Sequence, residues 1–206
     1  MIVADAPGPI RVFGAVRGRV ADVAPLLAGL EAFDPKVVGV GLSFDEMTGL
    51  TDHFAGRPFE PVVPVTGNET AEIGGLVRFG EVRLPHPAYV GVLEWAKARS
   101  VPVEPLEPSD ETYATLFATH IGYVELVGRT LRERRLARGP PDAPTADEFA
   151  IRWDREVARG KGSRAFIAAR EAHVATEAHR LAERSGRTAV VVDRERFDGV
   201  LAALRA

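Results

Sequence analysis

An amphipathic helix containing Ala169-Arg170-Glu171-Ala172-His173-Val174-Ala175 leads into an apolar strand, Thr188-Ala189-Val190-Val191-Val192, whose end carries Asp193-Arg194-Glu195-Arg196. In open α/β sheets, ligands bind at the carboxyl ends of the strands. This stretch therefore predicts a buried strand and places a candidate site at its charged end.

A second strand, Ile10-Arg11-Val12-Phe13-Gly14-Ala15-Val16, also ends in basic residues, Arg17 and Arg19. Apolar residues at helical spacing follow over about 20–32, and another apolar run spans about 36–42. Such a βαβ unit forms parallel strands. If the strands at 10–16 and 188–192 are neighbours, their charged ends form one site.

The rest of the chain alternates between further helices and strands. Helices are predicted over about 43–53, 88–99, 110–137, 145–159, 164–184 and 198–206, with a strand at 101–105. A strand or hairpin is predicted at 75–84, and the prolines within 55–68 argue against regular structure there. The pattern predicts an α/β fold, a mostly parallel sheet flanked by helices. We expect a single domain over 1–206, in which a helical insertion at about 110–160 forms a lid or sub-domain.

Composition restricts the class of protein. The formal net charge of −3 gives no reason to expect a nucleic-acid partner, and no apolar run is long enough to span a membrane. The chain has no cysteine, which excludes disulfides and thiolate metal sites. A cytoplasmic location is expected.

The order of motifs resembles the TraB/Tiki-type proteins, within a wider group that includes ChaN-like and erythromycin-esterase-like proteins. Four segments carry the resemblance: Phe13-Gly14-Ala15-Val16-Arg17, Pro35 to Leu42, Arg170-Glu171-Ala172-His173-Val174-Ala175, and Val190 to Gly199. The resemblance implies a TraB-like α/β domain over most of the chain.

The chain departs from that family at the positions that its proposed chemistry needs. Arg17 stands where the family has a first His, Gly41 where it has a Glu, and Arg196 where it has a last His, whereas Gly14, Arg170 and Glu171 are retained. A guanidinium stays protonated and cannot bind a metal ion. The resemblance therefore implies a TraB-like scaffold without the catalytic groups, and no metal or cofactor is expected.

The leading hypothesis is a binding site for an anionic small molecule or a protein partner at the carboxyl edge of the sheet. Its residues would be Arg17, Arg170, Arg194 and Arg196, since guanidinium groups bind phosphate and carboxylate. The alternative interpretation of these arginines is an internal ion-pair network with nearby carboxylates, namely Asp45, Glu46, Glu171, Asp193 and Glu195.

Two other functions remain open. The first is an unconventional hydrolase, metal-dependent or not, that uses Asp45, Glu46, His86 or Asp193 and needs an acidic residue and a histidine in one cleft. Acidic residues at a helix start, such as Asp45 and Glu46, more often interact with the helix dipole. The second is a homodimer formed through the 110–160 helices. Their broad apolar face, which is more typical of a core, comprises Leu116, Phe117, Ile121, Val124, Leu126, Val127 and Leu131.

Overall fold

Five strands form one sheet in the computed structural model, which describes residues 1–54 and 67–206. The strands are β1 (Ile2–Asp5), β2 (Ile10–Ala15), β3 (Val37–Val40), β4 (Val103–Pro105) and β5 (Thr188–Asp193). Their order across the sheet is β1-β2-β5-β3-β4. Strand β1 is antiparallel to β2, and all other neighbours are parallel. The predicted α/β fold with a mostly parallel sheet is confirmed.

Helices account for most of the remaining described residues. They are α1 (Val23–Phe33), α2 (Phe44–Phe54), α3 (Gly67–Leu76), α4 (Pro87–Arg99), α5 (Asp110–His120), α6 (Tyr123–Arg138), α7 (Ala146–Val157), α8 (Lys161–Ser185) and α9 (Arg194–Leu204). Short 3-10 helices span Val20–Asp22 and Val77–Phe79. None of the helices within 1–54 and 67–206 combines the length and apolar character needed to cross a bilayer.

Strand β5 is the centre of a three-layer arrangement. Every residue of Thr188–Asp193 is buried, as expected for a parallel strand covered on both faces. Val190 and Val192 pack in a cluster with α8 and α9, whereas Ala189 and Val191 pack in a second cluster with α1 and α4. The alternation follows from the two-residue period of a strand.

A third apolar cluster lies beyond the carboxyl end of β2. Val16 packs there with Phe149 and Trp153 of α7, Leu76 of α3 and Leu136 of α6. This cluster fixes α3 and α7 next to the edge of the sheet. Both helices therefore present side chains to the ends of β2 and β5.

Several predicted helix starts are confirmed by their caps. The Ser43 hydroxyl accepts a hydrogen bond from the Glu46 amide at 3.2 Å, and the Glu46 carboxylate accepts one from the Ser43 amide at 2.8 Å. The Thr145 hydroxyl accepts from the Glu148 amide at 3.2 Å. These contacts satisfy amides that have no partner within their own helices.

Other predicted elements are wrong. Residues 75–84 form no hairpin; α3 ends there, a 3-10 turn follows, and only Val82 makes an isolated bridge, to Arg19. The helix predicted over 110–137 is divided at Ile121, whose backbone is extended, and α6 begins after Gly122. This division lets α5 pack against α8, and α6 against α3 and α7.

Both ends of the chain also differ from the prediction. Helix α9 begins at Arg194, directly after the last strand, rather than at 198. The short edge strand β1 was missed. The predicted irregular segment 55–68 lies outside the described residues, except that Gly67 and Asn68 belong to α3.

Candidate functional site

The carboxyl ends of β2 and β5 lie side by side. The two strands pair in parallel from Ile10 opposite Thr188 to Ala15 opposite Asp193. Arg17, two residues past the end of β2, therefore lies next to the last residue of β5. This adjacency is the condition on which a single site at the edge depends.

A buried ion pair joins these strand ends. The Arg17 guanidinium donates to Asp193 Oδ2 from Nε at 3.1 Å and from one terminal nitrogen, Nη2, at 2.5 Å. The Asp193 side chain is 8% exposed, whereas that of Arg17 is 32% exposed. The pair thus neutralises a buried carboxylate and leaves part of the guanidinium accessible.

Tyr89 completes the coordination of Asp193. Its hydroxyl, carried by the first turn of α4, donates to Asp193 Oδ1 at 3.0 Å. Burial, followed by the charge of Asp193, raises the pKa of Tyr89 well above its usual value, so the phenol remains a donor. Burial alone would raise the pKa of Asp193. The charge of Arg17, together with the hydrogen bonds from Arg17 and Tyr89, outweighs burial, so the pKa of Asp193 is lowered.

Two more carboxyl groups lie in this environment and behave differently. Burial, reinforced by the charge of Asp193, raises the pKa of Glu195 to about 8. Burial raises the pKa of Glu72 on α3 to about 7, although the charge of Arg17 acts in the opposite direction. Glu195 Oε2 is buried and has no hydrogen-bond partner among the described residues. Glu195 is therefore mostly protonated at neutral pH, and Glu72 about half protonated.

His86 lies at the same edge, immediately before α4. Burial and then the charge of Arg17 lower the pKa of His86 to about 4, so the imidazole is neutral at pH 7. Its Nδ1 is buried without a hydrogen-bond partner among the described residues. His86 and Asp193 are close enough to influence each other's ionisation, but no hydrogen bond joins them within the described part of the chain.

The other predicted arginines are engaged in ion pairs of their own. Arg196 binds both Asp154 of α7 and Glu171 of α8, the latter at 3.4 Å. Arg170 binds Glu107 at 3.0 Å. These arginines therefore form internal ion pairs, but of the carboxylates predicted for such a network only Glu171 is a partner here.

Arg194 belongs to a separate group. It pairs with Asp147 and with Asp198, each at 3.3 Å, and its side chain is 10% exposed. Because α9 begins at Arg194, residues 194–196 form the first turn of a helix and their side chains diverge. Of the four predicted arginines, Arg17 is the one that faces Asp193 directly and is also a third exposed.

Asp45 and Glu46 lie at the start of α2. Glu46 caps that helix through Ser43. A hydrogen bond with Asp110, at the start of α5, raises the pKa of the exposed Asp45. Neither residue contacts Asp193 in the described structure, so the structure brings together His86 and Asp193 but not all four candidate hydrolase residues.

No group of three or more metal-ligating side chains occurs within residues 1–54 and 67–206. The guanidinium of Arg17 lies among the carboxyl groups of Asp193, Glu195 and Glu72, and supplies the nearby positive charge that affects their pKa values. This part of the edge therefore consists of one cation surrounded by carboxyl groups.

Sequence reasoning missed Tyr89, Glu72 and Asp154. Tyr89 follows Pro-His-Pro in the first turn of a predicted helix, which was a usable signal. Glu72 precedes a segment predicted to be a strand. The three-residue spacing of Glu69 and Glu72, which places both on one side of a helix, therefore gave no signal. Asp154 is one charged residue among many on α7, and the sequence carries no signal that singles it out.

Gly41, where the family resemblance predicts a Glu, makes room for Tyr89. A Cβ atom at Gly41 would lie 3.2 Å from Val192 Cγ1 and 3.5 Å from the Tyr89 hydroxyl. A larger side chain would therefore crowd the donor to Asp193. The resemblance itself stays a prediction, because comparison of the chain with protein-family models, curated proteins and solved structures finds no match.

Proposed function

We propose that the chain binds a small molecule bearing an anionic or carbonyl oxygen at the carboxyl edge of its sheet, with Arg17 as the anchor. The proposal depends on one observation: the three nitrogens of the Arg17 guanidinium do not all have hydrogen-bond partners within the described residues. Two of its nitrogens bind Asp193 Oδ2. Within residues 1–54 and 67–206, Nη1 has an ion pair with Glu69 at 3.7 Å, beyond hydrogen-bonding distance, and no other contact. Nη1 is therefore available to a ligand oxygen.

The two carboxyl groups with raised pKa values support the same ligand. A protonated carboxyl donates a hydrogen bond to an oxygen, whereas an ionised one repels an anion. With the pKa of Glu195 at about 8 and that of Glu72 at about 7, the edge supplies donors beside Arg17 at neutral pH. Ligand affinity is expected to fall as pH rises from 7 to 9, because both groups then ionise.

The test is binding of acetate, succinate and inorganic phosphate, measured by calorimetry and by ligand-dependent thermal stability. Arg17→Lys keeps a positive charge beside Asp193 but loses the planar fork, so it should weaken saturable binding at least tenfold. Arg187→Lys is the matched control, because Arg187 pairs with Asp34 at the opposite edge of the sheet. Equal binding by wild type and Arg17→Lys, or no saturable binding of any probe, would contradict the proposal.

A second function, acid–base catalysis on such a ligand, is favoured by one observation. Glu72 and Glu195 have pKa values of about 7 and about 8 in one cluster, and groups that titrate near the working pH are effective proton carriers. In ester hydrolysis, water would add to the carbonyl carbon while Glu72 in its ionised form accepts the water proton and Arg17 stabilises the oxyanion; Glu195 would then donate its proton to the leaving oxygen as the C–O bond breaks.

This hydrolase proposal is tested with phenyl acetate and phenyl phosphate as generic substrates, because their phenolate leaving group needs a proton donor. Glu195→Gln should remove any turnover, whereas Glu46→Gln, in the helix cap of α2, should leave it unchanged. Turnover that survives Glu195→Gln would refute the role given to Glu195.

A further inference from the structure

Helix α6 turns its apolar side chains away from the protein. Tyr123 and Val124 are 81% and 84% exposed, Leu131 is 59% exposed, and Val127 is 43% exposed. Their spacing of three, four and seven residues places them on one side of a helix. A contiguous exposed apolar strip of this kind marks an interaction surface rather than a core.

Polar contacts fix the helix in this orientation. The Glu125 carboxylate accepts hydrogen bonds from the Ser163 amide and hydroxyl, both at 2.8 Å, at the start of α8. Arg129 pairs with Glu133 at 2.9 Å on the half-buried side. The inward face of α6 is therefore largely polar, apart from the buried Leu136, and the helix cannot bury its apolar strip by a simple rotation.

The strip continues into a basic end. Arg134, Arg135 and Arg138 are exposed and form no ion pair with any described residue. Most other arginines do have a carboxylate partner, as Arg11, Arg152 and Arg180 illustrate. The exposed face of α6 thus has an apolar half that begins with an aromatic ring, and a cationic half without a carboxylate partner among the described residues.

We propose that the occupant of this strip is a second copy of the chain, with the two α6 helices packed antiparallel about a two-fold axis near Gly128. An axis at Gly128 brings Tyr123 of one copy near Arg134 of the other, Val124 near Leu131, and Val127 near its own counterpart, each within about 3 Å along the helix axis at 1.5 Å per residue. Arginine over a tyrosine ring is a favourable cation–π contact. The strip is therefore complementary to itself, as a two-fold interface requires.

The charges agree with this arrangement and disfavour a parallel one. In the antiparallel pair, the three exposed arginines of one copy lie at the opposite end of the interface from those of the other copy. In a parallel pair, the three exposed arginines of each copy would lie together and repel. A contact limited to one helix is small, so we infer a weak, concentration-dependent dimer.

Mass by light scattering and by analytical ultracentrifugation over a dilution series tests the dimer. We expect a monomer–dimer equilibrium in wild type and a monomer for Leu131→Glu, with an unchanged circular dichroism spectrum. Val77→Glu is the matched control, since Val77 is 58% exposed but lies outside α6. A monomer at all concentrations of wild type would overturn the proposal, as would a dimer that survives Leu131→Glu.

Cysteine cross-linking tests the direction of packing, because the chain has no cysteine of its own. In the antiparallel pair, Val127→Cys lies close to its counterpart and should form an inter-chain disulfide. Arg138→Cys would be about 30 Å from its counterpart along the helix axis, at 1.5 Å per residue, and should not. Efficient cross-linking at both positions would indicate parallel packing and overturn the arrangement.

A lipid surface is the alternative occupant of the strip, because a basic and apolar helix also binds anionic lipid. Co-sedimentation with vesicles of anionic phospholipid tests this alternative. We expect no co-sedimentation of the wild-type chain with such vesicles beyond that of the Leu131→Glu variant. Binding that Leu131→Glu removes, in a chain that stays monomeric, would assign the strip to lipid and overturn the dimer.

Discussion

The carboxyl edge of the sheet buries ionisable groups, whereas the outward face of α6 exposes apolar ones. At the edge, Arg17, Asp193 and Glu195 bring ionisable groups into a mostly buried environment. On α6, Tyr123, Val124 and Leu131 bring apolar groups into water. The comparison separates two kinds of unfavourable placement. The buried charge of Asp193 is compensated inside the chain by its ion pair with Arg17, whereas the exposed apolar groups of α6 would be compensated by the proposed contact with a second copy.

The largest expected effect comes from breaking the compensation at the edge. Arg17→Met would leave Asp193 buried without its cation, which should lower the free energy of unfolding by about 3 kcal/mol. Urea denaturation at pH 7 measures this loss. Adding Asp193→Asn removes the uncompensated charge and should restore most of the stability; a double variant as unstable as Arg17→Met would show that packing, rather than charge, is responsible.

A smaller effect is expected from the hydrogen bond of Tyr89. Tyr89→Phe keeps the buried ring but removes the donor to Asp193 Oδ1, which should cost about 1.5–3 kcal/mol because the acceptor is charged. Tyr113→Phe, which keeps the ring and removes a hydroxyl from a side chain that is 37% exposed, is the control and should cost less than about 0.5 kcal/mol. Equal losses in urea denaturation would argue against a special role for the buried carboxylate.

The pH dependence of stability should reveal the raised carboxyl pKa values. A carboxyl whose folded pKa is raised binds its proton more tightly in the folded state, so stability is highest near pH 5 and falls as pH rises towards 8. Each such group contributes up to about 1.4 kcal/mol per pH unit in this window. Glu195→Gln should flatten the decline in thermal unfolding experiments, whereas Glu46→Gln should not; an unchanged slope in Glu195→Gln would contradict the assignment.

The smallest effect on folding is expected at α6. Leu131→Ser changes an exposed side chain and should alter the free energy of unfolding of the monomer by less than about 0.5 kcal/mol. Leu26→Ala, in the fully buried core, should cost about 2–5 kcal/mol by the same measurement. A large loss in Leu131→Ser at low protein concentration would show that the strip is part of the monomer's own core.

The sequence predicted the sheet well because its signals are local. The βαβ pattern from Ile10 to Leu42, the apolar run of β5 and the capping residues Ser43 and Thr145 all report on neighbouring residues in the chain. The prediction failed at 75–84, where the alternation of apolar residues belongs to a helix end that packs on α7. It also failed at Ile121, where packing of α5 and α6 against different helices divides one helical pattern into two.

The adjacency of the two strand ends was predicted, whereas most of the side chains that meet there were not, and a ligand site at this edge stays a prediction. The adjacency of β2 and β5 brings Arg17 to Asp193, as the strand ends suggested. However, the side chains of Arg194 and Arg196 point in different directions, because α9 begins directly after β5. Tyr89 and Glu72 belong to α4 and α3, which are distant from β5 in the sequence. Contacts of that kind depend on tertiary packing, and a single sequence does not encode them in a readable pattern.

Helix α3 connects the two regions. It carries Glu69 and Glu72 at the edge of the sheet, and it packs directly against α6. Any shift of α6 that accompanies pairing would move these carboxyl groups relative to Arg17. By thermodynamic linkage, a ligand held by Arg17 would then change the dimerisation constant by the same factor as dimerisation changes the ligand's affinity.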